Sequence, residues 1–326
     1  MNYPFYNVVN TEFEAVNKLI IGSLSSHVPL VEEISNYLID AGGKRLRPLL
    51  VLLAAKSLGY ELKEHIKLAA IIEFLHTAML LHDDVVDESL LRRGRKTVNA
   101  EWGNPASVLV GDFLHSRAFE MMVEIGDMKV MQILSFATNT IAEGEVQQLT
   151  NIRNPDITEE RYLEVINRKT AMLFEASSHA GAVLASSSKK GVNQDLIQSL
   201  RHYGQHLGMA FQLIDDALDY EGTTEQLGKN VGDDLAEGKV TLPIIAAMRN
   251  GSKDETQLLR SAIQNGGLDN LDEVMEIVIR TGGLDYTNKK AEIEIQKALL
   301  SLKNVPDSAY KDAMVSLANF SISRNT

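Results

Sequence analysis

Residues 71–88 read IIEFLHTAMLLHDDVVDE, an apolar run that ends in Asp83, Asp84 and Asp87. The three carboxylates stand at i, i+1 and i+4. Residues four apart share one face of an α-helix, so Asp83 and Asp87 point the same way and Asp84 flanks them. Like charges at that spacing repel, which a divalent cation would relieve. Carboxylate oxygens with open positions suit Mg²⁺, which is held by one or two carboxylates plus substrate phosphates. The bland alternative is a solvated acidic helix end. Against it, the acids sit among Leu80, Leu81, Val85 and Val86, and the pattern recurs. Phe211–Glu221 reads FQLIDDALDYE, with Asp215, Asp216 and Asp219 at the same spacing after another apolar run.

Composition bounds what surrounds these motifs. The chain has 326 residues, enough for one large domain or two small ones, and 44% of them are apolar, ample for a sizeable core. It has no cysteine, which excludes disulfides, thiolate catalysis and Cys-ligated zinc. A net charge of −12 argues against a nucleic-acid surface. No secretory signal is apparent at the N-terminus, and the longest apolar run, Pro48–Ala55, falls short of the ~20 residues that span a bilayer. A cytoplasmic protein is expected.

Helical periodicity dominates, and strand-like alternation is nearly absent, so the chain reads as all-α. Thr11 opens a helix to about Leu24, with Glu14 at the capping-box position. A second helix from about Leu30 stops at Ala41-Gly42-Gly43, and GGKRLRP then places Lys44, Arg45 and Arg47 in a loop before Pro48 starts a helix. A basic cluster at a helix N-terminus suits a diphosphate. SLLRRGRKT sets Arg92, Arg93, Arg95 and Lys96 directly beyond the first acids. Helices follow over Ala106–Gly126, Val130–Thr150 and from Thr158, the last containing Lys169 and Thr170. A lysine in mid-helix ordinarily faces solvent. Gln212 precedes Asp216 by four on the helix Asp195–Tyr220 and shares its face. The glycine-rich segment after it holds Lys229 and Lys239 and reads as a loop able to close over the acids. His76 lies two turns before Asp83 on nearly the same face; His82, His115, His179, His202 and His206 show no zinc-ligand spacing. No domain boundary, repeat or linker is evident.

Two facing acidic helices would form a cleft of six carboxylates that Mg²⁺ converts into a receptor for a diphosphate. Its departure becomes easy once metals and cations share the developing charge. An allylic carbon left behind is a carbocation that needs a dry, apolar cavity.

GGKRLRP, LLHDDVVDESLLRRG, the Lys169-Thr170 pair, FQLIDDALD and GKNVGDDLAEGK together resemble the ordered motif set of the trans-isoprenyl (polyprenyl) diphosphate synthases, from about Gly42 to Pro243. AMLLHDDVVDES and NPASVLVGDFLHSRAFEMM are most similar to the bacterial octaprenyl members. The resemblance implies an isoprenoid-synthase-type helical bundle around a central apolar cavity, spanning 1–326 as one domain and paired as a homodimer. It implies Mg²⁺, three ions per active site with substrate bound, on Asp83, Asp84, Asp87, Asp215, Asp216 and Asp219. Lys44, Arg47, His76 and Arg93 would bind isopentenyl diphosphate. Arg92, Lys169, Thr170, Gln212, Lys229 and Lys239 would hold the allylic diphosphate, and Lys169 and the acids would carry catalysis. The implied reaction extends an allylic diphosphate such as farnesyl diphosphate to a long all-trans polyprenyl diphosphate, octaprenyl above all, for quinone side chains.

Product length is read from Ala78 and Met79, about 6–8 Å deeper than Asp83 at ~1.5 Å per residue. In short-chain members bulky aromatic residues near here close the cavity. A small Ala78 and a flexible Met79 leave it open, which favours a long product. The rival readings are a synthase of another length (geranylgeranyl, heptaprenyl or nonaprenyl), a terpene cyclase, and a non-catalytic partner subunit. A cyclase would lack the GGKRLRP loop, and a subunit relieved of catalysis would not be expected to keep six costly carboxylates.

Overall fold

A computed structural model of the chain describes residues 3–188, 191–221, 232–266 and 270–323. The described residues are almost entirely helical. The helices are α1 Pro4–Asn7, α2 Asn10–Ser23, α3 Pro29–Asp40, α4 Leu46–Ser57, α5 Glu64–Val86, α6 Val98–Trp102, α7 Asn104–Ile125, α8 Met128–Asn151, α9 Glu159–Ile166, α10 Met172–Ser188 and α11 Gln194–Glu221. There follow α12 Asp233–Ala236, α13 Leu242–Asn250, α14 Lys253–Asn265, α15 Leu271–Arg280, α16 Gly283–Ser301 and α17 Ala309–Ser323. The all-α expectation holds.

The residues divide into two compact units interleaved along the chain. The first takes the residues up to Thr138, Leu173–Gly204 and Leu299–Leu317; the second takes Asn139–Met172, Gln205–Ala298 and the residues from Ala318. Nothing in the sequence marks this division. Its boundaries fall inside α8, α10, α11, α16 and α17, where helical periodicity runs on without the proline or polar tract that signals a linker.

In the first unit α5 packs against α2, α4 and most extensively α7. It is apolar on nearly every side: Leu68, Ala69, Ala70, Ile71, Ile72 and Leu75 are completely buried. Burying each large side chain contributes roughly 1.5–3 kcal/mol, which fixes the helix bearing the first acidic motif. At Gly181 a Cβ would come within 2.7 Å of the Val51 carbonyl oxygen, so glycine lets α10 approach α4. The second unit is built on Ala217, Tyr220, Leu235, Ile244, Leu259 and Val274, all completely buried. There α14 carries a capping box in which Ser252 Oγ accepts from the Glu255 backbone while Glu255 Oε2 accepts from that of Ser252.

Several local expectations shift. The helix expected from Thr11 begins at Asn10 and has no side-chain cap; Asn10 Nδ2 donates to Glu14 instead. The helix expected from Pro48 begins at Leu46, so Arg47 lies in its first turn while Lys44 and Arg45 remain outside it. Leu91–Arg92 and Arg95–Lys96 pair as a minimal antiparallel hairpin, Leu91 opposite Lys96 and Arg92 opposite Arg95. Its turn residues Arg93 and Gly94 have φ of +53° and +71°, as a type I′ turn demands of both central positions. The helix expected to run unbroken from Thr158 instead widens to a π-turn at Asn167–Ala171, where Lys169 and Thr170 sit.

Candidate active site

In the first unit α5 presents Glu73, His76 and the acids in turn, and the hairpin and the GGKRLRP loop bring the cations to them. Asp84 is buried, and Arg92 Nε and Nη2 donate to its Oδ1 at 2.8 and 2.7 Å. Burial raises the Asp84 carboxyl above its usual range, the Arg92 charge opposes that, and Asp83 and Asp87 add to it. Asp83 and Asp87, the latter the C-cap of α5, stay half-exposed. Arg47 Nη1 lies 3.1 Å from His76 Nε2. A guanidinium only donates, so that ring nitrogen accepts. Burial first, then the charges of Arg47, Arg93 and Arg92, hold the His76 imidazole neutral, well below its usual pKa. The Arg47 guanidinium also stacks 4.3 Å from the Phe174 ring centroid.

The loop itself is held from three sides. Tyr6 donates its hydroxyl to the Lys44 carbonyl, Arg93 donates to that of Gly42, and Arg45 donates to Asn17 Oδ1 on α2. A cavity of about 80 Å³ lies behind it, its cationic side formed by Arg45, Arg92 and Arg93 and its apolar side by residues such as Ile20, Phe74 and Leu114. Ala78 is buried in the core and, like Met79, does not line this cavity, which is bordered by Thr77 and Leu80.

In the second unit one chain of hydrogen bonds joins the expected residues. Thr170 Oγ1 donates to Gln212 Oε1 at 2.8 Å, and Gln212 Nε2 donates to Asp216 Oδ1 at 2.6 Å. On the other side Tyr162 donates its hydroxyl to Asp216 Oδ2 at 2.5 Å. Burial and the neighbouring Asp234 raise the Asp216 carboxyl well above its usual range, with Tyr162 and Gln212 opposing them. Lys169 is not the solvent-facing lysine that mid-helix position suggests. It is 18% exposed, and its Nζ lies 2.6 Å from Glu145 Oε2 and 2.8 Å from Gln148 Oε1. The π-turn and Gly144 make this possible. A Cβ at Gly144 would meet Arg168 Cβ at 2.9 Å and the Lys169 nitrogen at 3.0 Å. Lys169, Thr170, Gln212, Asp216, Asp234 and Lys239 share the lining of a cavity of about 110 Å³. Lys239 Nζ pairs with Glu237 at 2.6 Å, and the Asp234 backbone N–H donates to Asp219 Oδ2 at 3.2 Å. Asp215 is half-buried, and Lys229 lies outside the described residues.

Tyr162, Glu145, Gln148 and Asp234 are the participants that sequence spacing does not reveal. Tyr162 and Glu145 look like ordinary members of amphipathic helices. Asp234 had a signal, the Gly-Asp-Asp of GKNVGDDLAEGK beside Lys239.

A cation-lined cavity beside three acids in one unit, and a buried Asp–Gln–Thr chain with a lysine in the other, match a known pattern. The polyprenyl synthetase family profile covers residues 28–278. The chain belongs to the polyprenyl synthetase family. Its enzymes are prenyltransferases, and this chain is a trans-polyprenyl diphosphate synthase. The octaprenyl diphosphate synthase of Escherichia coli is 49% identical over 96% of this chain and 96% of its own length. An all-trans-nonaprenyl-diphosphate synthase of Rhodobacter capsulatus, specific for geranyl diphosphate, is 47% identical over 97% and 96%. Among solved structures, a Caulobacter crescentus polyprenyl synthase superposes with a TM-score of 0.94 at 44% identity, covering 99% of this chain and 98% of that one. That polyprenyl synthase is complexed with calcium and isoprenyl diphosphate.

The polyprenyl synthase residues fit a hard divalent cation. The donors are all carboxylate oxygens. Among the described residues no three histidine or acidic groups converge as a ready-made metal cage. The elevated Asp84 and Asp216 carboxyls register like-charge and burial conflicts that a cation relieves. Among the described residues no helix is long and apolar enough to cross a membrane.

Proposed function

We propose that the protein makes octaprenyl diphosphate by repeated addition of isopentenyl diphosphate to an allylic starter, farnesyl diphosphate, for quinone side chains. The observation that supports the diphosphate chemistry is the Thr170–Gln212–Asp216 chain beside Lys169, a hydroxyl, an amide, a carboxyl and a cation that line one cavity. In this reading Lys44, Arg47, His76 and Arg93 bind the isopentenyl diphosphate. The neutral His76 accepts from Arg47 and leaves its Nδ1–H to donate. Arg92, Lys169, Thr170, Gln212, Lys229 and Lys239 hold the allylic diphosphate. Asp83, Asp84, Asp87, Asp215, Asp216 and Asp219 would hold Mg²⁺, three ions per site, which would supply the charge neutralisation that a departing diphosphate needs. The isopentenyl double bond attacks the allylic carbon, and the proton lost passes to the departing diphosphate, so no side-chain base is required.

The octaprenyl length rests on the likeness to octaprenyl relatives and on the small Ala78 beside Met79. The whole chain is taken as one synthase domain, since the family match crosses both units. A homodimer is supported by the apolar side chains that one unit leaves exposed on α7 and the start of α8: Leu109 is 67%, Met128 72% and Phe136 61% accessible.

The test extends labelled isopentenyl diphosphate on farnesyl diphosphate, with and without Mg²⁺, and sizes the dephosphorylated products. A Mg²⁺-dependent ladder ending near eight isoprene units supports this reading, and Ala78→Phe should shorten it. A wild-type ladder ending at three or four units would overturn the long-chain assignment.

A further inference from the structure

Arg45 and Glu73 have no part in the reading above, yet both lie inside the cationic cavity. Arg45 is the middle cation of GGKRLRP and holds a left-handed backbone, φ +48°, at the entry to α4. Few non-glycine residues adopt that conformation without support. Its side chain is only 15% exposed, donates to Asn17 on α2 and sets Nε 3.7 Å from Glu73 Oε1 on α5. It is therefore tied into the fold on two helices, while the cations that flank it along the loop, Lys44 and Arg47, are the ones proposed for the diphosphate subsite.

Glu73 is 14% exposed. Its Oε2 is buried with no hydrogen-bond partner. Burial pushes its carboxyl up, and the charges of Arg45, Arg47 and Arg93 pull it down. A carboxylate that forms one loose ion pair while three guanidiniums act on it serves the cluster more than any single bond. Without an anion there, guanidiniums gathered before the substrate arrives would repel one another. Their contacts to His76, Phe174, Gly42 and Asn17 would then have to hold the cluster against that repulsion without an internal counter-charge.

We infer that Glu73 and Arg45 are positioning residues for the isopentenyl diphosphate subsite. The internal carboxylate holds Arg45, and through it the backbone between Lys44 and Arg47, in the binding arrangement. This rests on the proposal that Lys44, Arg47, His76 and Arg93 bind that substrate.

The test is steady-state kinetics on the full chain with Mg²⁺, varying each substrate in turn, for Glu73→Gln, Arg45→Met, the double variant and Arg45→Lys. Expected is a rise of about tenfold in KM for isopentenyl diphosphate in each single variant, with kcat and the allylic KM within about twofold of wild type. The double variant should be no worse than either single one, because both break the same strut. Arg45→Lys keeps the charge and should recover most of the affinity. An unchanged KM with a lowered melting temperature would make the pair purely structural. A lower KM would show that Glu73 only repels the incoming diphosphate. Either result overturns the inference. If Glu73→Gln does not fold, Arg45→Met and its Lys counterpart decide, and failure of both to fold overturns it too. Arg47→Ala serves as the control on the subsite. If it leaves the isopentenyl KM unchanged, the subsite assignment fails; if it raises that KM and Glu73→Gln does not, only this inference fails.

Discussion

Tyr162 shows how much a single hydroxyl can hold in place. Asp216 is 2% exposed, and its two oxygens are taken by Tyr162 and Gln212. A hydrogen bond contributes about 0.5–1.5 kcal/mol net, and a buried acceptor left without one costs about 1–3 kcal/mol. Tyr162→Phe removes the donor and keeps the ring. It should lower the melting temperature and reduce turnover about tenfold. It should also weaken the thermal stabilisation that Mg²⁺ and a non-hydrolysable diphosphate analogue together confer. Unchanged stabilisation by the metal and analogue would show that Asp216 keeps its orientation without Tyr162. Spacing identifies Asp215, Asp216 and Asp219 as a likeness of Asp83, Asp84 and Asp87. It does not reveal that Asp84 is held by Arg92 while Asp216 is held by a phenol, because both partners come from other elements.

At the scale of elements, the π-turn at Asn167–Ala171 does what a regular helix would not. The extra residue in the turn redirects Lys169 inward, and Gly144 gives the turn room against α8. Gly144→Ala places a methyl within 3.0 Å of the Lys169 nitrogen, so the turn or α8 must shift. Overpacking of this kind costs about 1–3 kcal/mol. A rise in allylic KM and a severalfold loss of turnover are expected, measured beside the melting temperature. Wild-type kinetics would mean that α8 yields and the turn does not depend on glycine. The helices themselves were legible from 3.6-residue periodicity; the π-turn was not, because Asn-Arg-Lys-Thr carries no glycine or proline to announce it.

For the molecule as a whole, buried and half-buried histidines should weaken stability in acid. Burial, then the nearby Arg201 charge, pushes His179 down to about 4 from an ordinary 6.5. Burial likewise leads the lowering of His65, His76 and His115. An unfolded chain takes up protons that the fold refuses, so stability is retained above about pH 6.5 and lost as pH falls towards about 4. In urea titrations across that range, wild type should lose more stability than His179→Gln, whose curve is flatter by the share of one site. Parallel curves would show that His179 takes its proton as freely folded as unfolded.

The sequence by itself determined the all-α class, the two acidic motifs, the cationic loop and the family. Each of these is a local pattern, carried by the spacing of residues along a few turns of chain. The tertiary structure alone decided which charges are spent on each other, as Arg92 is on Asp84 and Lys169 on Glu145. It alone brought Tyr162 to Asp216 and Glu73 among the arginines, and divided the chain into two interleaved units. The physical reason is common to all of these. Burial and ion pairing depend on what lies across from a side chain, and that neighbour is often dozens of residues away in sequence, where no periodicity reaches.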